Sequence, residues 1–158
     1  MDLIIWRHAE AEDGIPDMAR ALTRKGEKQA AMMAAWLKTM MPEQTRILAS
    51  PARRTQQTAQ ALGLPFETCP ALAPGKTVAA LLDAAGWPDA DGTVLVIGHN
   101  PTLGEVGPTV LGAGQGDAGD GWPMKKAAVM WFVSDDAECG HASLEAAMTP
   151  RLLRSTRG

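Results

Sequence analysis

The chain has 158 residues, of which 46% are apolar and 21% charged, with a net charge of −3. These values suit one domain spanning 1–158, with a core that needs no staples; they exclude a disordered chain and the basic footprint of a nucleic-acid binder. No run approaches the roughly 20 apolar residues of a membrane span, and Asp2, Arg7 and His8 crowd the first apolar run too closely for a signal peptide, so the expectation is a cytoplasmic protein that engages neither nucleic acid nor membrane.

The apolar run Leu3–Trp6 reads as a strand covered on both faces, ending on Arg7 and His8 rather than on a turn residue. That ending suits either a site or a strand that merely surfaces. From Thr23, a capping residue, Ala30, Met33, Leu37 and Met40 recur at helical spacing until Pro42. Arg46–Ser50 predicts a second strand, followed by a helix reaching Gly63. The proline-rich stretch 65–74 reads as irregular or extended chain. Val78, Leu81, Leu82 and Ala85 predict a helix over 77–86. Thr93–Gly98 is the strongest strand signal and delivers His99, after which Pro101 opens another helix. Two late strands are predicted over 127–133 and 142–148. The expected fold is a three-layer α/β/α domain with a mostly parallel central sheet.

Several features carry little. The glycine-rich stretch 112–121 contains GQGDAG, but no helix pattern follows it, so a flexible loop is expected rather than a dinucleotide fingerprint. Gly75-Lys76-Thr77 lacks the earlier glycine of a phosphate loop, since Pro70 stands there. Cys69 and Cys139 read as packing residues, and no disulfide framework is expected. His141 has no motif around it. Arg151, Arg154 and Arg157 recur every third residue and read as a solvated tail.

Two histidines, His8 and His99, stand just past the carboxyl ends of predicted strands, the edge at which open α/β sheets bind ligands. Arg7 adjoins His8, and Arg54 lies at the start of the helix after the second strand. A planar guanidinium suits phosphate oxygens, and a helix N-terminus adds backbone donors. Together these four residues predict a phosphoryl pocket in an acidic protein.

The same residues carry a family resemblance. Arg7-His8-Ala9; Arg20-Ala21-Leu22-Thr23 with Gly26 and Gln29-Ala30; Ser50-Pro51-Ala52-Arg53-Arg54-Thr55-Gln56-Gln57-Thr58; and Gly98-His99-Asn100-Pro101 follow one another in the chain. In that order they resemble the motifs of the histidine phosphatase superfamily, also called the phosphoglycerate mutase-like family, and most of all its SixA-like phosphohistidine phosphatases. The resemblance implies the phosphoglycerate mutase-like fold in a minimal version without a large helical insertion. It implies His8 as nucleophile, Arg7 and Arg54 as clamps on the phosphoryl oxygens, and His99 as a further donor. Arg20 becomes a candidate for substrate binding, or else for a surface ion pair. No metal and no other cofactor is expected, since arginine and histidine supply the positive charge; His8, Glu10 and Glu12 have no zinc-ligand spacing.

Relatives that cleave alcohol phosphates carry an acid before the second histidine, whereas residues 70–76, PALAPGK, have no carboxylate. That absence favours phosphohistidine, whose imidazole leaves with little help. Glu10, Glu12, Asp13 or Asp17 could serve as the acid instead. The expected partner is therefore a phosphorylated protein, such as a histidine phosphotransfer domain. The alternatives are a small phosphate ester as substrate, acted on by a broad phosphomonoesterase, or a binding module without turnover.

Overall fold

A computed structural model describes residues 1–112, 121–136 and 141–156. Most of the glycine-rich stretch, Cys139 and Arg157 lie outside these residues. The elements in chain order are β1 (Asp2–Arg7), α1 (Arg24–Met40), β2 (Arg46–Ala49), α2 (Arg53–Gln60), β3 (Glu67–Thr68), α3 (Val78–Ala85), β4 (Thr93–Gly98), α4 (Thr102–Val110), β5 (Val129–Asp136), β6 (His141–Met148) and α5 (Pro150–Ser155). The strands form one sheet in the order β3-β2-β4-β1-β5-β6.

Pairings from β3 through β2 and β4 to β1 are parallel, whereas β1 with β5 and β5 with β6 are antiparallel. The sheet is thus mixed, with β5 alone running against the other strands. The reversal between β5 and β6 follows from chain length. Only four residues separate Asp136 from His141, enough for a hairpin but not for the crossover that a parallel pair needs.

The side-chain period of two sends alternate residues of β1 to opposite faces. Ile4 and Trp6 join Met33 and Leu37 of α1 and Ala59 of α2 in one core cluster. Leu3 and Ile5 join Leu81 of α3 and Leu103 and Val106 of α4 in the other. All four β1 residues are fully buried, which makes the central strand a rigid support for Arg7 and His8 at its carboxyl end. Among the described residues no helical insertion separates these elements.

The structure departs from the sequence-based expectations in local ways. Met40, at the end of α1, is 54% exposed rather than packed with Met33 and Leu37 in the core. Helix α2 stops at Gln60, and the chain turns through Gly63 at φ 65. The strand expected from 127 starts at Val129, since Ala127 has φ 61 and a turn joins Ala128 N–H to the Lys125 carbonyl. The stretch 65–74 holds the short β3 and a single 3-10 turn, Pro70–Leu72. Arg151 and Arg154 are exposed but sit on helix α5 rather than on a tail; Thr149 caps that helix and Leu153 packs against the first core cluster.

Candidate active site

Parallel register brings the site together. Arg7 of β1 pairs with Gly98 of β4, and Ala49 of β2 pairs with Ile97. The next residue on each strand is therefore His8, His99 and Ser50, side by side at the carboxyl edge of the sheet. The two imidazole centroids lie 5.3 Å apart and inclined by 55°.

His8 is 7% exposed. Its Nδ1 lies 2.7 Å from the Ala9 carbonyl, an acceptor only, so Nδ1 carries the proton and Nε2 keeps its lone pair. Burial, opposed by that carbonyl and reinforced by the charges of Arg54, Arg7 and Arg20, lowers the His8 pKa to about 4. At neutral pH the ring is an unprotonated base with nucleophilic character.

His99 is fixed differently. The Ser50 hydroxyl accepts from the Ala52 N–H at 3.2 Å and lies 2.7 Å from His99 Nε2. Its proton has no other acceptor among the described residues, so it points at Nε2 and leaves the His99 proton on Nδ1. Burial and the nearby Arg54 lower the His99 pKa to about 3, which keeps this ring neutral as well. His8 thus exposes an electron pair, whereas His99 keeps a proton to donate.

Arg54 is 4% exposed on the first turn of α2; its neighbour Arg53 faces solvent. It donates to the Asp17 carbonyl at 3.0 Å and to Asp17 Oδ2 at 3.1 Å. Arg7 donates to the Met124 carbonyl at 2.6 Å, and burial lowers its pKa. Four buried polar atoms find no partner among the described residues: Arg7 Nε, Arg54 Nε, His99 Nδ1 and Asn100 Oδ1. Leaving a buried donor unsatisfied costs about 1–3 kcal/mol. Three such donors on residues gathered at one sheet edge match the oxygens of an anion.

Arg20 stands outside this group. It donates to Asp17 Oδ1 at 3.0 Å and to the Glu12 carbonyl at 3.1 Å, so it braces the loop that leads to Asp17. Of the four candidate acids, Asp17 contacts the site's arginines. Desolvation works against its ionisation, but Arg54 and Arg20 outweigh it and hold the carboxyl below its usual pKa. Glu10 instead faces Lys25 at 3.5 Å, and Glu12 and Asp13 are exposed. Among the described residues no three His, Cys, Asp or Glu side chains gather as a metal would need.

The remaining motif residues build the frame. Thr23 caps α1 by accepting from Gly26 N–H at 2.9 Å, and its own N–H donates to the Glu10 carbonyl. A Cβ on Gly26 would collide with that same carbonyl, so only glycine lets α1 close on the loop after His8. Gln29 accepts from Glu10 N–H at 3.0 Å, Gln57 from Leu22 N–H at 2.7 Å, and Thr58 from Ala9 N–H at 3.1 Å. Sequence reasoning assigned no individual role to Ser50, Gln29, Gln57 or Thr58, and it offered Asp17 as an acid rather than as a partner of Arg54. The available signal for the first four was position, since each stands within a motif that also holds a candidate site residue.

Comparison with known proteins identifies the family. Residues 3–74 match the model of the histidine phosphatase superfamily, branch 1. The phosphohistidine phosphatase SixA of Escherichia coli is 37% identical over 114 residues, covering 66% of this chain and 70% of that protein. A SixA homolog from Haemophilus influenzae is 34% identical, covering 67% and 74%. The solved structure of the protein histidine phosphatase SixA complexed with tungstate superposes with a TM-score of 0.76 at 32% identity, covering 97% of this chain and 99% of that one. On its motifs, its fold and these relatives, the chain belongs to the histidine phosphatase superfamily.

Proposed function

We propose that the protein is a phosphatase that removes the phosphoryl group of phosphohistidine in a protein, by way of a phosphohistidine formed on its own His8. The observation that carries this reading is a neutral, buried imidazole with a free Nε2, grouped with Arg7, Arg54 and His99, each of which has an unpartnered buried nitrogen. The likeness to SixA supports phosphatase activity.

In the first step the Nε2 lone pair of His8 attacks phosphorus. The bond from phosphorus to the substrate imidazole breaks, and that imidazole leaves with the electron pair and takes a proton from solvent. Arg7 and Arg54 hold the phosphoryl oxygens, and His99 Nδ1–H donates to one as charge builds. In the second step water attacks phosphorus, the bond to His8 breaks, and inorganic phosphate departs. Neither step routes a proton through Asp17, whose arginine partners keep it ionised. A leaving imidazole tolerates that absence, whereas an alkoxide does not. The arginines supply the charge a metal would, so activity is expected to persist after EDTA treatment.

Phosphate release from a phosphohistidine peptide and from an alkyl ester, a phosphoserine peptide, tests the reading. The wild type is expected to prefer the phosphohistidine peptide in kcat/KM, and His8→Ala to lose about 10³-fold or more on both. A preference for the ester would overturn the substrate, and full activity in His8→Ala would overturn the mechanism.

A further inference from the structure

A cleft of about 730 Å³ opens beside the candidate active site, bordered by the loop after His8, the turn before β5 and helix α5. Among the described residues, six Lys and Arg side chains line it: Arg7, Lys25, Lys125, Lys126, Arg151 and Arg154. Glu10 is the one carboxylate among the described residues of the lining, and it is already engaged by Lys25 at 3.5 Å. Among the described residues no acid lies within ion-pair distance of Lys125, Lys126, Arg151 or Arg154.

This segregation runs against the composition. The chain holds 18 acids against 15 bases, so an even scatter would line the cleft with as many carboxylates as cations. Like charges in one cleft repel one another, and an anionic occupant relieves that repulsion. The lining comes from separate segments of chain, with Lys25, Lys125, Lys126, Arg151 and Arg154 all exposed. Exposed cations spread in this way suit carboxylates dispersed along a polypeptide better than one compact anion. The net charge of −3 disfavours a nucleic acid. Arg7 joins the cleft to the phosphoryl site, since it lines the one and belongs to the other.

We infer that this cleft docks an acidic stretch of the protein substrate next to its phosphorylated residue. The inference rests on the phosphoprotein reading above and adds to it the charge of the substrate's surroundings. Docking there speeds encounter and holds the phosphoryl group against His8, which raises kcat/KM for acidic substrates without touching the chemistry.

Two phosphohistidine peptides, one flanked by glutamates and one by serines, provide the test. The variants are Arg151→Glu with Arg154→Glu, and separately Lys125→Glu with Lys126→Glu, which leave Arg7 and Glu10 in place. In the wild type, kcat/KM for the glutamate peptide is expected to exceed that for the serine peptide about tenfold or more, and the advantage to shrink as salt rises. Each double variant is expected to abolish the advantage while turning over the serine peptide at the wild-type rate. Equal loss on both peptides, or a preserved advantage in both variants, would overturn the inference.

Binding of a fluorescent polyglutamate of about 20 residues separates this inference from the catalytic one. If polyglutamate binds the wild type and binds the variants about tenfold less tightly, the cleft stands even where no phosphohistidine is hydrolysed. If phosphohistidine peptides are hydrolysed without regard to their flanks and polyglutamate does not bind, the catalytic reading stands and the docking site falls. Tighter binding of a single-stranded oligonucleotide of matched charge would overturn the choice of an acidic polypeptide.

Discussion

His8 and His99 have the same side chain and leave opposite ring nitrogens free, and a single hydrogen bond apiece separates them. The Ala9 carbonyl takes the Nδ1 proton of His8 and frees Nε2, whereas the Ser50 hydroxyl covers Nε2 of His99 and leaves the proton on Nδ1. With its pKa lowered to about 4, His8 stays unprotonated far below the usual histidine range. The acid limb of kcat/KM for the free enzyme, corrected for substrate ionisation, should therefore fall nearer pH 4 than 6.5. An acid limb at or above pH 6.5 would show that His8 is not held neutral by its surroundings. Arg54 is the residue most enclosed among the pocket cations, and Arg54→Gln removes both its charge and its fork. That change should lower kcat/KM on a phosphohistidine peptide about 10²–10³-fold with little effect on melting temperature, since Asp17 is largely exposed and can be rehydrated. At this scale Arg7, His8, Arg54 and His99 were readable from strand ends and helix starts. The contacts of Ser50 and Asp17 were not, because they span 49 and 37 residues and depend on a register that no local pattern reveals.

Among the elements, α1 has the narrowest tolerance. Its first turn presses on the Glu10 carbonyl through Gly26, and Gln29 holds the Glu10 N–H one turn later. Gly26→Ala should destabilise the protein by about 1–3 kcal/mol in urea titration, despite the better helix propensity of alanine. It should also lower activity, because the loop after His8 must shift. A gain in stability would mean that α1 does not clamp that loop. The helices and parallel strands were readable from periodicity and turn residues, since both faces of β1 and β4 are covered and their apolar runs are unbroken. The hairpin of β5 and β6 was expected only as two strands, although the eight residues between their predicted bounds, 134–141, are already too few for a parallel crossover. Local sequence records which residues are extended; the length of the connection decides which way they run.

Across the whole molecule, the site makes stability depend on pH. Both imidazoles are buried and neutral, with pKa values of about 4 and about 3 against 6.5 for a free histidine. Below pH 6.5 the unfolded chain takes up protons that the folded site refuses. The stabilisation is therefore complete above pH 6.5 and is lost as the pH falls towards 4, by on the order of 2–3 kcal/mol for His8. The melting temperature should drop over that range, and the drop should be smaller in His8→Ala. An equal drop in both proteins would place the acid sensitivity elsewhere. Composition reveals the molecule's overall balance of −3 but conceals how the charges are arranged. Arg151 and Arg154, spaced like a solvated tail, face a cleft that Arg7 shares, which only the packing of α5 brings about.

In the proposed reaction His8 itself carries the phosphoryl group between substrate and water. Rapid acid-free quenching of the wild type with excess phosphohistidine peptide, then mass spectrometry of the proteolysed protein, tests it most directly. A transient phosphoryl group is expected on His8, stable in alkali and labile in acid, that forms and decays fast enough to sustain turnover and is absent in His8→Ala. Turnover at the wild-type rate with phosphate never appearing on His8, or with the label on another residue, would contradict it.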